Sequence, residues 1–148
     1  MKGLQKRQTP SLRFIGEVVE ASEERARIRI YEPFREGLYR LEDISHLIVL
    51  YWLTGRDNES DRSTLRVTPK RHAGAPEMGV FGSRSPSRPN PIALCVVKLL
   101  AQTDEELEVR GLDANLNSPV VDIKPYIPRS DMVSEAKAPE WTLHGPAT

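Results

Sequence analysis

The most constraining feature of this sequence is a series of short strand-like segments that no long helical segment separates. From Arg25 to Tyr31 the residues alternate strictly, with alanine and isoleucine on one side and arginine on the other. A period of two residues is typical of a strand that buries one face. No helical pattern longer than about three turns occurs anywhere in the chain. The sequence therefore argues against a parallel sheet covered by helices.

Further segments share this strand character. The predicted strands cover residues 13–20, 25–31, 46–53, 64–68, 92–100, 107–112 and 120–123. Residues 46–53 and 92–100 are almost wholly apolar, which predicts strands covered on both faces. Leu38, Leu41 and Ile44 recur every three residues and predict one or two helical turns. We therefore predict an all-β, single barrel-like fold with a mainly antiparallel sheet and one or two short helices.

The chain has the size and composition of one globular domain. It contains 148 residues, 39% apolar and 28% charged, which is enough for a core of ordinary depth. The longest apolar run, residues 47–53, is too short to span a bilayer, and the basic N-terminus lacks the apolar core of a secretory signal. We expect a cytoplasmic protein with no membrane partner. The predicted organisation is a basic tail over 1–12, a barrel domain over 13–130 and an irregular tail over 131–148.

Positive charge is concentrated in one part of a chain whose formal net charge is zero. Residues 62–88 have a net charge of +5, because six basic groups oppose only Glu77. The six are Arg62, Arg66, Lys70, Arg71, Arg84 and Arg88. A local excess of this size attracts phosphate groups. A solvated loop without chemistry of its own is the alternative interpretation.

Proline stiffens the segment that leads into the second apolar strand. Residues 79–91 read GVFGSRSPSRPNP, with three prolines within six residues. Each proline fixes its own φ and biases the preceding residue towards an extended backbone. Arg84 and Arg88 lie on this rigid track, and their planar guanidinium groups suit a carboxylate or a phosphate. A rigid structural crossover would use the same prolines, so both interpretations stay open.

A second proline-stiffened segment, residues 118–128, reads SPVVDIKPYIP. Asp122 and Lys124 alternate with apolar residues, so their side chains are predicted to point to the same side of a strand. The simplest alternative to a functional pair is a surface salt bridge worth about 0–1 kcal/mol.

The motifs RSPSRPNPIAL and PVVDIKPYIP closely resemble the TsaA-like (YaeB, TrmO) family. The similarity extends back through FREGLYRLEDISHLIVLYWL and covers roughly residues 13–141. The resemblance implies a β-barrel, S-adenosylmethionine-dependent homodimer that methylates N6 of N6-threonylcarbamoyladenosine beside the tRNA anticodon. Two alternatives are a non-catalytic S-adenosylmethionine-binding protein of the same fold and a methyltransferase that acts on another RNA or a small substrate.

The resemblance also implies site residues by position. The expected cofactor-binding residues are Thr54, Gly55, Arg84, Pro89, Asn90, Leu94, Leu116, Asn117, Ser118 and Pro119. In this interpretation Arg84 holds the carboxylate of the cofactor. Lys70, Arg71 and Arg88 are expected to contact the tRNA backbone. Asp122 and Tyr126 are the candidates for accepting or relaying the proton.

The chain departs from the family pattern in three places. A short connection over residues 21–24 replaces a Pro-Arg-Gln segment that helps to hold the cofactor in relatives. Leu116 takes the place of a loop aspartate, and Thr54 takes the place of a histidine.

A metal site is not expected. The chain has one cysteine and three histidines, and no histidine has a partner four residues away or a nearby acidic ligand pattern. Cys95 lies in an apolar run and is predicted to be a small buried side chain. Tyr51 and Trp52 are predicted to pack in the core, and Trp141 to pack on the surface or against a second subunit.

Overall fold

The computed structural model describes residues 9–144, so residues 1–8 of the predicted basic tail and residues 145–148 lie outside the described residues. The strands are β1 (Gly16–Glu20), β2 (Ala26–Ile30), β3 (His46–Trp52), β4 (Arg66–Val67), β5 (Met78–Gly79), β6 (Ile92–Gln102), β7 (Glu106–Arg110) and β8 (Pro119–Pro125). The α-helices are α1 (Glu59–Arg62) and α2 (Pro128–Asp131), and 3-10 helices cover Glu32–Leu38, Thr54–Arg56, Val80–Gly82 and Glu140–Leu143. None of these helices in the described part of the chain is long and apolar enough to cross a bilayer.

Six strands close into an antiparallel barrel in the order β1-β2-β7-β6-β3-β8. This architecture confirms the predicted all-β barrel fold. The closing pair is short, since β1 meets β8 only through Gly16 with Val120 and Glu17 with Pro119. Closure leaves none of the six strands with an unpaired edge. β4 and β5 form a separate two-stranded sheet between β3 and β6 in the chain.

The barrel interior is built from alternate residues of each strand. In β2 the alanine and both isoleucines are buried, as the alternation predicts. The prediction that β3 and β6 are covered on both faces is wrong, because only every second residue of β3 is buried. On the outer side of β6, Leu94 is 41% and Val96 is 45% exposed. An antiparallel barrel has a single interior, so alternate residues of these two strands point away from the core.

The helical turn near the start of β3 lies earlier than predicted. It covers Glu32–Leu38 rather than the stretch from Leu38 to Ile44, and its proline lies in the first turn, where a missing N–H is tolerated. Leu38 is buried, and Leu41 and Ile44 still pack against the core.

The observed strands also differ from the predicted ones in extent and number. β1 begins at Gly16 rather than at residue 13, and the segment predicted over 64–68 forms only two strand residues. β5 was not predicted, because its two residues pair only with β4 and carry no alternation of their own.

The segment that ends the described chain is attached to the loop before β5. The ring of Trp141 lies 5.4 Å from the ring of His72 between centroids, and Nδ1 of His72 contacts the carbonyl of His144. In return, Nδ1 of His144 lies 3.2 Å from the carbonyl of Ala73. These contacts place Trp141 against its own chain.

Candidate functional site

The cofactor-binding candidates come together at one end of the barrel. β3 runs antiparallel to both β6 and β8, so its last residues lie beside the first residues of those strands, with Trp52 opposite Ile92 and Tyr51 opposite Val120. The candidate segments over 54–55, 84–90 and 116–119 adjoin these strand ends. We call this end of the barrel, where β3 ends and β6 and β8 begin, the site end.

The proline-rich segment before β6 is ordered by its own side chains. The N–H of Ser85 donates to Oγ of Ser83 at 3.3 Å, and the N–H of Ser87 donates to Oγ of Ser85 at 3.2 Å. Nη1 of Arg88 donates to the carbonyls of Ser83 and Ser85 at 3.1 and 3.0 Å. Arg88, expected to contact RNA, therefore also holds this segment in shape.

The short α1 helix braces the same segment. Oγ of Ser87 donates to the carboxylate of Asp61, and Nη1 of Arg56 lies 3.3 Å from the same carboxylate oxygen. The hydrogen bond from Ser87 is the main cause of a lowered pKa at Asp61. This brace was missed by sequence reasoning, because its members are 26 residues apart.

Arg62 connects α1 to the candidate residue Asn90. Its Nη1 lies 2.9 Å from Oδ1 of Asp57, and its Nη2 donates to Oδ1 of Asn90 at 3.3 Å. The guanidinium carbon lies 5.8 Å from the ring centroid of Trp52, whose indole N–H donates to Asp57. The hydrogen bond from Arg62 also lowers the pKa of Asp57. Arg62 is thus engaged in the structure of the site end.

Arg84 differs from these arginines because its side chain is uncommitted, by which we mean that it has no hydrogen-bond or ion-pair partner within the described chain. It is exposed and makes no hydrogen bond or ion pair with any residue of the described chain. Burial raises the pKa of the Cys95 thiol, whereas the positive charge of Arg84 acts to lower it. The Arg84 guanidinium is therefore available to an anionic group.

Two side chains of the barrel interior donate hydrogen bonds to the start of the loop between β7 and β8. Sγ of Cys95 donates to the carbonyl of Gly111 at 3.1 Å. The hydroxyl of Tyr51 donates to the carbonyl of Asp113. Cys95 and Tyr51 are both buried, as predicted, and their hydrogen bonds give the loop a defined start.

The candidate residues of this loop occupy a tight turn. Asn117 has a φ of 69°, and its N–H donates to the carbonyl of Val18 at 2.8 Å. Oγ of Ser118 donates to the carbonyl of Asn115 at 2.7 Å and is buried. Leu116 remains exposed. The turn therefore buries the hydroxyl of Ser118 and leaves Leu116 and the side chain of Asn117 exposed at the site end.

Much of the charge in the basic stretch is neutralised by carboxylates. Nη1 of Arg71 lies 3.1 Å from Oδ2 of Asp113, and Nη1 of Arg66 lies 3.5 Å from Oε1 of Glu77. Asp113 belongs to the loop that carries the cofactor-binding candidates, so Arg71 is not separate from that site. Within residues 9–144, Lys70, Arg84 and Arg88 are the cations of the stretch that have no carboxylate partner.

The two proton-transfer candidates lie at different distances from the site end. Asp122 forms an ion pair with Lys124 at 3.0 Å, as expected for side chains on the same side of a strand. The N–H of Tyr126 donates to the carbonyl of His46 at the start of β3, about 20 Å along that strand from the site end. Asp122 pairs with Leu50, which pairs on its other side with the cofactor-binding candidate Leu94, so Asp122 lies across one strand from that candidate, whereas Tyr126 is remote from the site end.

The site end of one protomer is an open surface. Two cavities of about 410 and 420 Å³ lie elsewhere on the described chain, and neither is lined by a cofactor-binding candidate. The larger one is lined by the Glu32–Leu38 helix together with residues of β8 that include Asp122. Among residues 9–144, no group of three or more histidine, cysteine or acidic side chains is arranged to hold a metal ion.

We expect Tyr51→Phe to flatten the loss of stability at alkaline pH. Burial raises the pKa of Tyr51 well above its ordinary value of 10.0. The hydroxyl therefore stays protonated in the folded protein at a pH where the same group ionises in the unfolded chain. Its contribution to the free energy of unfolding is full below about pH 10 and falls as the pH rises further. Urea unfolding between pH 8 and pH 11 measures this, with the exposed Tyr39→Phe as control. An equally steep decline in Tyr51→Phe and the parent would contradict it.

Comparison with known proteins shows consistent similarities. The family model described as the tRNA-methyltransferase O N-terminal domain matches residues 14–132. An S-adenosyl-L-methionine-binding protein of Archaeoglobus fulgidus is 46% identical over 108 residues, which are 73% of each chain. The crystal structure of TrmO from Pseudomonas aeruginosa matches with a TM-score of 0.70 and 26% identity, covering 91% of this chain. The match spans only 62% of the TrmO chain.

Proposed function

The chain belongs to the tRNA-methyltransferase O N-terminal domain family, and from that premise we propose that it is an S-adenosyl-L-methionine-dependent tRNA methyltransferase. Its proposed substrate is N6 of N6-threonylcarbamoyladenosine beside the anticodon. The observation that carries the proposal is the uncommitted Arg84 at the end of the barrel where the other candidate segments meet. We place the protein in the cytoplasm, with residues 13–130 as the catalytic barrel and 1–12 and 131–148 as tails.

The side chains at the site end suit the parts of this cofactor. Arg84 can hold its carboxylate through a charge-assisted, bidentate pair. Leu94 and Leu116 are exposed apolar side chains next to polar candidates and would contact its apolar parts. When bound, S-adenosyl-L-methionine supplies a methyl group carried on a positively charged sulfonium. The turn at Asn117 lies at the same end of the barrel, and its left-handed residue reverses the direction of the chain there.

The proposed reaction requires alignment and the removal of a proton from a weakly nucleophilic nitrogen. Alignment of two bound reactants can supply a large share of the acceleration. Asp113 is a carboxylate at the site end that sequence reasoning missed, since nothing in the local pattern distinguishes it. Asp122 lies across β3 from Leu94 in the same chain, whereas Tyr126 can take the role only where a second copy of the chain brings it to the site end.

We propose a two-fold dimer that completes this open site. The outer faces of β3 and β6 carry an apolar patch, in which Ile48 pairs with Val96 and Leu50 pairs with Leu94. A second copy would cover this patch through a self-complementary interface. Leu94 is also a cofactor-binding candidate, so the interface would adjoin the site. Light scattering at micromolar concentration is expected to give about twice the chain mass of 16.7 kDa, and a monomer would contradict the dimer.

The proposed tRNA contacts predict different effects for two neighbouring cations. Lys70→Ala is expected to weaken tRNA binding and to flatten the log–log salt dependence by about 0.7–0.9, the value for one phosphate contact. Arg71→Ala is expected to change the slope less, because the carboxylate of Asp113 already pairs with that side chain. Fluorescence anisotropy across a salt series measures both. A parental slope in Lys70→Ala, or a larger change in Arg71→Ala, would contradict the assignment.

The decisive experiment is methyl transfer from labelled S-adenosyl-L-methionine to two preparations of tRNA. One preparation carries the threonylcarbamoyl group, and the other lacks it. We expect incorporation only into the first, with the methylated nucleoside identified by mass spectrometry after digestion. Absence of transfer to both, under conditions where the cofactor binds, would overturn the proposed activity.

A non-catalytic S-adenosyl-L-methionine-binding protein is the second candidate function. Relatives at 46% identity from Archaeoglobus fulgidus and Methanothermobacter thermautotrophicus are described by binding, not by transfer. In this chain only a short connection links β1 to β2, where the family pattern has the Pro-Arg-Gln segment. Cofactor binding without methyl transfer to any RNA would favour this candidate. Transfer to another RNA or to a small molecule would instead indicate a related enzyme with a different substrate.

A further inference from the structure

One aromatic side chain at the site end has no role in the site described above. Phe81 is 82% exposed, the largest exposed fraction among the large hydrophobic side chains of residues 9–144. It lies in the Val80–Gly82 helix, three residues before Arg84 in the chain. Large aromatic side chains contribute most to folding when buried, so Phe81 contributes little to the core in this position.

The backbone that carries Phe81 is well anchored. Val80 is almost completely buried, and its N–H donates to the carbonyl of Leu65 at 3.0 Å. The N–H of Ser83 donates to the carbonyl of Val80 at 3.2 Å and closes the turn. A Cβ on Gly82 would lie 2.8 Å from Cε of Met78, so the chain is closely packed there. A fixed turn thus presents the ring to solvent, which lowers the entropy cost of contacts made by the ring.

The charges around Phe81 in the chain favour a polyanion as its partner. Within residues 62–88 Glu77 is the one acidic residue, and it is paired with Arg66. Lys70 and Arg84 have no carboxylate partner in the described chain. Single-stranded nucleic acids are bound by this combination of exposed aromatic rings with cations that follow the phosphates.

We infer that Phe81 is a stacking platform for an unpaired base of the bound RNA. This inference rests on the proposed function and adds to it a residue that recognises single-stranded RNA through the face of a base. Stacking needs no particular base, so Phe81 contributes affinity and positioning rather than sequence specificity. Lys70 lies in the same stretch of chain and supplies positive charge for a flanking phosphate, while Arg84 remains assigned to the cofactor.

The test compares Phe81→Ala and Phe81→Trp with the parent in binding to a threonylcarbamoylated anticodon stem–loop. Phe81→Ala is expected to bind about 5- to 100-fold more weakly at fixed salt, which corresponds to the loss of one base stack. The salt slope should stay unchanged, because no charge is removed. Phe81→Trp should bind at least as well as the parent and show tryptophan quenching by RNA beyond that of the parent.

Tyr39→Ala is the matched control. Tyr39 is 74% exposed and lies 5.6 Å from the guanidinium carbon of Arg40, but it follows β2 at the opposite end of the barrel. The Tyr39→Ala variant should bind RNA like the parent. An equal loss of affinity in Tyr39→Ala and Phe81→Ala would count against specific stacking of a base on Phe81.

The remaining outcomes separate this inference from the proposed function. Parental RNA affinity in Phe81→Ala would overturn the inference alone. Conversion of Phe81→Ala to a monomer would assign the ring to a protein interface, and loss of cofactor affinity alone would assign it to the cofactor pocket; both overturn the inference. A parent protein that neither binds nor methylates the RNA would overturn the inference together with the proposed function.

Discussion

Arg84→Ala is expected to weaken S-adenosyl-L-methionine binding by about 1.5–3 kcal/mol, the range for a hydrogen bond to a charged group. Arg84 is exposed and has no partner in the described chain, so its removal leaves no buried group unsatisfied. The loss should therefore appear in cofactor affinity and not in the free energy of unfolding. Calorimetric titration with the cofactor, together with urea unfolding of the variant, measures the two quantities.

Two further variants sharpen this result. Arg84→Lys should recover part of the affinity, because it keeps the charge but loses the planar fork that pairs with a carboxylate. Arg40→Ala is the matched control, since Arg40 is an exposed arginine between β2 and β3 at the opposite end of the barrel. The assignment of Arg84 is wrong if Arg84→Ala and Arg40→Ala bind the cofactor equally well. A parent protein with no detectable binding at millimolar cofactor would contradict the cofactor itself.

Gly16→Ala is expected to lower the free energy of unfolding by about 3 kcal/mol, at the upper end of the cost of overpacking a core. A Cβ at this position would lie 2.2 Å from the carbonyl oxygen of Arg29. That oxygen belongs to the backbone of β2, so the clash cannot be relieved by rotating a side chain. Gly16 also pairs with Val120 at the closing seam, and the clash should loosen β1 from both neighbours.

Gly37→Ala is the matched control for this prediction. A Cβ on Gly37 would meet no atom within 4 Å, and its φ is not positive. A glycine-to-alanine change at such a position shifts stability by only about 0.4–1 kcal/mol. Equilibrium urea unfolding of both variants measures the difference, and equal midpoints would show that the barrel seam tolerates a methyl group.

The fold class was predictable from the sequence because strand formation leaves a local signature. The alternation in β2 predicts which side of the strand is buried, and the structure confirms it. The apolar runs of β3 and β6 predict strands for the same reason. The prediction that the outward faces of β3 and β6 are also covered is wrong. An apolar residue looks the same in a sequence whether it faces a core, solvent or another chain.

The candidate site was predictable only in part. The motifs around Arg84 and before β8 are contiguous in the chain and stand out by their prolines. Their meeting at one end of the barrel depends on β3 lying between β6 and β8, which no local pattern specifies. The same holds for the separation of Tyr126 from Arg84, which follows from the direction of β8.

The tertiary structure alone decided which basic side chains are neutralised by carboxylates. The sequence by itself determined that residues 62–88 have a net charge of +5 and that proline stiffens the segment before β6. It did not determine that Asp57 and Asp113, from outside this stretch, neutralise Arg62 and Arg71, while Arg84 stays uncommitted. Strand character and chain stiffness depend on neighbours in the sequence, whereas pairing, exposure and neutralisation depend on groups that only folding brings within a few ångströms.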